Sequence, residues 1–303
     1  MLSSRNLIVL PLLFAAACPA GMTWMVQEEN DKFTNGNSDR YYTQGLRVAC
    51  MDDDLVHWSF GQEINTPADQ SSRYPSLEDL PYSAMLYVAR GQGYLFPEQQ
   101  AMASIETKLG VIGPLAIGRQ IQNGFHHLIG SASYRGWDTQ MPNELAFSFE
   151  AEVRRRFYLD DPKVHHWDII AHAGVELGNI RSGFVTGAQM RFGLLDDSWG
   201  HGFMRQSTGW VDPVGTGGPR EAWWWLFAGF SAEVMPHAYM TDGTVFSQSR
   251  SVESRPIILQ GELGISLRLA SGSFSFAIAH RTKEFETQDG SHAFGSIRYA
   301  YIF

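Results

Sequence analysis

The sequence predicts an all-β fold: a transmembrane antiparallel β-barrel of about 12 strands, with a short helix in a loop or at its mouth. Three observations point there. Hydrophobicity alternates with a period of two along most of the chain, an export-type segment opens it, and an amphipathic strand ending in aromatic Phe303 closes it. A soluble β-sandwich or barrel shares the period alone. Charges regularly placed on one strand face, and aromatics near strand ends (Trp223, Trp224, Trp225, Tyr299, Tyr301), favour the membrane form.

The amino end carries one charge, Arg5, before an apolar run from Leu7 to Ala17 and a set of small residues. That order matches a cleaved secretory signal over residues 1–20, with cleavage after Ala17 or after Ala20. The run is shorter than the ~20 residues a spanning helix needs. Cys18 would suit a lipoprotein, but Ala15 stands where lipidation signals carry Leu. Losing Cys18 with the signal would leave Cys50 alone, so no disulfide is expected. Residues 21–303 show no linker or low-complexity tract and read as one barrel domain. The chain holds 23 Lys+Arg against 32 Asp+Glu, a net charge of −9. This excludes nucleic acid as an expected partner and suits cations, or a surface dressed with divalent ions.

Strands are expected to begin near Trp24, Thr43, Val56, Met85, Ala103, Leu145, Asp168, Ser182, Trp223, His237, Ile257, Phe274 and Ala293. In "ELAFSFEAEVRRRF", Leu145, Phe147, Phe149, Ala151 and Val153 alternate with Ala146, Ser148, Glu150, Glu152 and Arg154. In "PIILQGELGISLRLA", Leu259, Leu263, Ile265 and Leu267 alternate with Gln260, Glu262, Ser266 and Arg268. Successive side chains point to opposite faces of a strand, so each segment has an apolar and a polar face. Polar turns such as "YLDDPK" and "TQDGSH" separate the segments. Residues 113–144 break the alternation, and their middle reads as a short helix. Gln122 and His126, spaced i,i+4, share a face of it, beside an apolar stripe of Ile121, Phe125 and Leu128.

His126 is the best candidate base, since imidazole titrates near neutral pH. Spacing alone does not separate it from His127. Gln122, one turn earlier, could hold its ring or a water. In "EENDKFTNGNSDRYYTQGLRV", Asn30, Asp31 and Asp39 offer hard oxygen ligands suited to Ca²⁺. Thr43 and Asn30 could donate hydrogen bonds to a developing oxyanion. G-x-S-x-G, H-E-x-x-H, P-loop and EF-hand patterns are all absent from the sequence. His165, His166, His172, Asp196 and Asp197 are expected at the surface.

Several motifs together resemble the outer-membrane lipid A 3′-O-deacylases. They are "END-F", "DRYYTQGL", "GQEINTP", "DLPYSAMLYV", "GVIGPLAIGRQIQNGFHHLIG", "GWDTQ-PNE", "GNI" and the terminal "RTKEF…YIF", in order along nearly the whole chain. The resemblance implies a twelve-stranded barrel, calcium dependence, and an active site between barrel wall and lipid near the outer leaflet. It matches Asn30 and Asp31 to the family's Asn-Asp pair, Thr43 to its conserved-motif Thr, and Gln122 and His126 to its Gln-x-x-x-His, so it selects His126 over His127. The family's site Lys has no counterpart after "QEINTP"; Arg73 is the nearest cation.

What the resemblance implies is hydrolysis of the ester-linked acyl chain at the 3′-position of lipid A or lipopolysaccharide. His126 would be the base, Asp31 a Ca²⁺ ligand, Asn30 and Thr43 the polar surround, and Gln122 the orienting group. The chain is expected to act as a monomer in the outer membrane. Two rivals are a phospholipase A-like acyl hydrolase of the same membrane and a non-enzymatic pore or structural barrel.

Overall fold

The computed structural model describes residues 19, 21–34, 40–128, 130, 133–160, 166–195, 198–199, 223–269 and 271–302. The expected signal segment apart from Pro19, and Asp39, His165, Asp196, Asp197 and Phe303, lie outside them. Six strands form the first half: β1 (Thr23–Asn30), β2 (Tyr41–Met51), β3 (Val56–Thr66), β4 (Ser83–Phe96), β5 (Ala101–Ile112) and β6 (Glu144–Tyr158). The second half is β7 (Trp167–Gly178), β8 (Arg181–Leu194), β9 (Trp223–Ala238), β10 (Ile257–Leu269), β11 (Gly272–Arg281) and β12 (His292–Ile302). Each pairs antiparallel with its sequence neighbours, and β1 pairs with β12 from Thr23↔Ile302 to Asn30↔Gly295, so the sheet closes. Closure leaves no edge strand, which is the condition for a sheet to stand in hydrocarbon.

One expected strand start is lost. His237 lies near the end of β9, and a helical turn, α2 (Tyr239–Asp242), follows. The β8–β9 register shifts between Ser182 and Phe184, opposite Met235 and Pro236. This bulge changes the phase of the alternation, which reads in the sequence as a new strand.

The alternation is inverted relative to a soluble protein. Along β6, Glu144, Ser148, Glu150, Glu152, Arg154 and Arg156 are buried, while Leu145, Phe147, Phe149, Val153 and Phe157 are exposed. The apolar face meets lipid and the polar face fills the lumen. There the charges pair with one another. Glu106 takes Arg47 at 2.5 Å, His57 at 2.6 Å and Lys108 at 3.1 Å, and Lys108 also reaches Glu150 at 2.9 Å. Glu233 joins Arg181 at 2.5 Å and Arg281 at 3.0 Å. Asp168 grips Arg191 through both oxygens, and Arg156 stacks 4.6 Å over Trp199.

Three expectations change here. His172 is not a surface residue: it faces the lumen, is buried, and meets Glu152 at 3.2 Å. Trp223 and Trp225 do not join an interfacial belt; they are buried and stacked on each other at 6.1 Å, whereas Trp224 between them is exposed. Cys50 is not a free thiol but disulfide-bonded; the sequence's other cysteine, Cys18, lies outside the described residues.

Strands β2–β3, β4–β5 and β10–β11 join through residues 52–55, 97–100 and 270–271 at the end where β1 starts and β12 finishes. Longer intervals, 67–82, 113–143 and 239–256, lie at the opposite end with the β1–β2 connection. Short turns mark the periplasmic side of such barrels and long loops the extracellular side. The helix α1 (Gly118–Leu128) therefore sits at the extracellular end.

Candidate active site

The site is assembled on the outside of the wall. On β3, the residues facing the lumen are His57, Ser59, Gly61, Glu63 and Asn65, since they pair in register with the inward residues of β2 and β4. Gln62, Ile64 and Thr66 therefore face outward, yet all three are buried. What covers them is the long β5–β6 connection. Ile64 and Ala84 pack with Tyr82, Ala116 and Trp137, and Ile121 of α1 leans on the same cluster. Gln62 Nε2 donates to the Ala116 carbonyl at 2.6 Å, pinning the entry to the helix on β3.

Helix α1 lies against this wall along one stripe. Gly118, Gln122 and His126, each four residues apart, are its buried positions. Gly118 permits the approach, because a Cβ there would strike the Ala84 side chain and come within 2.8 Å of the Trp137 ring. Phe125 and Leu128, 53% and 72% exposed, point the other way. On the outer surface of a membrane barrel that face meets the acyl region of the leaflet.

Burial separates the two adjacent histidines: His126 is 3% exposed and His127 is exposed. The His126 ring meets Tyr134 edge-on at 4.6 Å. Tyr134 is in turn fixed to the helix by Asn123, which accepts its backbone N–H at 2.9 Å and donates to its carbonyl at 3.3 Å. The Gln122 amide is oriented by Trp137, whose indole N–H donates to Oε1 at 2.8 Å. That bond leaves Gln122 Nε2 as the amide's donor end, buried and with no hydrogen-bond partner among the described residues. Trp137 and Tyr134 thus hold the Gln122 amide and the His126 ring in place.

The other half comes from the first hairpin. Asn30 ends β1 on its outward face, and its Oδ1 accepts the Lys32 N–H at 2.9 Å, capping a 3-10 turn over Asp31–Phe33. Its Nδ2 is then the group directed elsewhere. Asp31 is buried, and its Oδ2 accepts the Arg40 N–H at 2.7 Å, which ties the hairpin ends. Thr43 sits where the β2–β3 register shifts between Tyr42 and Gln44. The bulge turns its side chain to the outer face, where its Oγ1 lies 2.6 Å from Thr66 Oγ1. Gln70 Nε2 donates to that Thr66 oxygen at 3.1 Å. Thr43 Oγ1 also donates to the Tyr41 carbonyl at 3.5 Å, so its hydroxyl is held between the β2 backbone and Thr66.

The two halves are joined through β3: Thr66 holds Thr43, and Ile64, two residues earlier on the same outer face, packs on Trp137, which holds Gln122. Arg73 is engaged elsewhere, with Asp138 at 3.1 Å. Sequence reasoning did not single out Thr66, Tyr134, Asn123 or Trp137. The one available signal was "GWDTQ", a polar segment with a lone Trp in a region without alternation. Among the described residues no three of His, Cys, Asp and Glu gather as a metal cluster. The donors at the hairpin are hard oxygens with one buried carboxylate, Asp31, a set that fits a hard cation completed by carbonyls and water.

The fold defines a transmembrane β-barrel of twelve strands, with Gln122 and His126 buried on a helix that packs against the outer face of its wall. The family model described as "Outer membrane protein LpxR" matches residues 2–303, and the chain belongs to this family. It is an outer-membrane lipid A deacylase, a carboxylic ester hydrolase. The structure of LpxR from Salmonella typhimurium superposes with a TM-score of 0.80 at 20% identity, covering 93% of this chain and 100% of that one. Weaker likenesses are to the KdgM porin (TM-score 0.41, 7% identity, 93% and 99% covered) and the beta domain of the Bordetella autotransporter BrkA (0.43, 12%, 94% and 100%). Among curated proteins nothing matches this sequence.

Proposed function

We propose that this barrel removes the 3′-acyl chain of lipid A by water attack, with His126 as general base. The observation that carries the reading is that Gln122 and His126 are buried against the outward face of the wall, at the extracellular end, where an acyl ester of the outer leaflet can reach them. His126 takes a proton from the attacking water and returns it to the leaving sugar hydroxyl. Tyr134 fixes the plane of the ring, and Gln122 Nε2, aimed by Trp137, holds the water or the ring nitrogen. As the carbonyl becomes tetrahedral, the Thr43 hydroxyl and the Asn30 amide donate to its oxygen. The acyl chain stays in hydrocarbon beside Phe125 and Leu128, so only the ester is withdrawn into the polar site.

Asp31 would hold Ca²⁺, together with neutral oxygens near Asn30 and Thr43. A calcium ion bound there supplies Lewis-acid stabilisation of the developing oxyanion. Asp31→Asn is expected to raise the calcium concentration needed for half-maximal activity, read by calcium titration of fatty-acid release. Because one closed chain supplies every named group, we infer a monomer, checked by light scattering in detergent. Export through a cleaved signal within residues 1–20 is checked by the amino-terminal sequence of the membrane-extracted protein: a start at Cys18 keeps the cysteine that the Cys50 disulfide requires, and a start at Gly21 removes it.

The decisive experiment expresses the barrel in a host with fully acylated lipid A and follows lipid A by mass spectrometry. Loss of one hydroxyacyl mass from the 3′-position is expected. Unchanged lipid A with calcium present, or release from phospholipid instead, overturns the substrate assignment.

A further inference from the structure

Beside the site lies a charged group that the hydrolysis does not use. Asp138 Oδ1 accepts Arg119 Nη1 at 2.8 Å, and Asp138 Oδ2 accepts Arg73 Nη2 at 3.1 Å. The three side chains are 47%, 60% and 39% exposed for Arg119, Arg73 and Asp138. One carboxylate between two guanidiniums leaves a local positive charge on a chain whose net charge is −9. A third guanidinium, Arg135, is exposed on the same connection. Of the three acids in the β3–β4 loop, Asp69 is turned to the N–H and hydroxyl of Ser71, which hold its carboxyl below the usual range. Asp79 accepts the N–H groups of Ala68 and Leu80, and Glu78 is exposed.

A structural brace does not account for this arrangement. Exposed ion pairs contribute little to stability. The two loops are already locked by packing: Tyr82 and Trp137 stack at 4.9 Å, and a Cβ on Gly136 would collide with Tyr82. Position is more informative. Arg119 opens α1 three residues before Gln122, and Asp138 follows the Trp137 that orients Gln122. The pair is thus rigidly placed at the rim of the site, on the extracellular side of the lipid-facing helix. Each guanidinium presents five N–H donors in a planar fork, and the bonds to Asp138 engage one N–H group of each. The fork matches phosphate oxygens two at a time.

We propose that Arg73 and Arg119, spaced by Asp138, form a binding site for a phosphate monoester on the sugar headgroup of the lipid substrate. The proposal rests on the deacylase reading above, since lipid A is a phosphorylated glucosamine disaccharide whose headgroup lies at the level of this rim. Asp138 acts as a bridge: it offsets the repulsion between two like charges in the absence of substrate and lowers their joint pull on anions. The clamp sets which end of the disaccharide approaches the helix, and so which acyl ester reaches His126.

The test uses the full-length barrel in detergent, with phosphorylated lipid A and the same lipid A after chemical dephosphorylation. R73Q/R119Q is expected to raise KM for the phosphorylated substrate about tenfold, with kcat retained and no change toward the dephosphorylated one. D138N should move KM the opposite way, downward, because it unmasks both cations. Inorganic phosphate should compete in the wild type and not in the double variant. Equal effects on both substrates, or a D138N variant that weakens binding as the arginine variants do, overturns the clamp in favour of a brace. Equilibrium binding of both lipids in the His126→Ala background reads the clamp without turnover. Failure to release any acyl chain therefore rejects the deacylase reading, while equal binding of the two lipids rejects the clamp.

Discussion

The lumen and the extracellular rim of this barrel both bury polar side chains, and they use them in opposite ways. In the lumen the groups are charged and matched to each other: Glu106 alone is shared by Arg47, His57 and Lys108. At the rim, buried Gln122 and half-buried Asn30 are neutral, and each amide oxygen is held by one partner. Trp137 takes Gln122 Oε1 and leaves Nε2; Lys32 takes Asn30 Oδ1 and leaves Nδ2. Burying a polar group costs free energy unless it is paired. In the lumen the charges meet opposite charges from other strands, and what results is a filled barrel. At the rim the incomplete pairing is a standing cost that a substrate and a cation can relieve.

This contrast is open to direct tests, and the largest effect belongs to the rim. His126→Ala is expected to lower kcat about a thousandfold while urea unfolding of the barrel stays at the wild-type midpoint, since general-base catalysis is worth about 10²–10⁴. A matching loss of stability would place His126 with the lumen groups instead. The mirror experiment is Glu106→Gln, which leaves Arg47 and Lys108 buried without their shared anion. About 3–5 kcal/mol of stability should be lost, with activity per folded barrel unchanged. Equilibrium unfolding in lipid vesicles, followed by assay of the refolded fraction, reads both.

Two smaller changes sharpen the boundary between the regions. Gly118→Val inserts a branched side chain between α1 and Ala84, at about 1–3 kcal/mol of overpacking. Since only the helix shifts, fatty-acid release should fall about tenfold while the barrel itself still runs as a folded species on an unheated gel. Trp137→Phe keeps the packing on Tyr82 and deletes the N–H to Gln122, worth about 1 kcal/mol. A severalfold drop in kcat with KM unchanged is expected, and an unaltered kcat would show that Gln122 needs no such guide.

Much of this arrangement was legible in the residue order. Starts at Val56, Trp223 and Ile257 agree with the observed strands, and those at Trp24, Leu145 and Asp168 fall one residue late. Alternation is a local property of the backbone and needs no tertiary information. The motif resemblance placed Asn30, Asp31, Thr43, Gln122 and His126 in one site, and β3 now connects the two segments that carry them. Where reading failed, a non-local contact was the cause. The bulge opposite Ser182 shifted the phase at His237, and the lumen partners Glu152 of His172 and Arg191 of Trp225 come from other strands.

The sequence by itself determined the class of fold, the number of strands to within one, and the segments proposed to carry the chemistry. Those follow from side-chain periodicity and from motif order, both of which are written along the chain. The tertiary structure alone decided that β3 turns Gln62, Ile64 and Thr66 outward under α1, that His126 and not His127 is buried, and that Arg73 shares Asp138 with Arg119. Barrel closure and loop docking set these, because they bring together residues such as Asn65 and Tyr239, 174 positions apart, whose proximity no local pattern encodes.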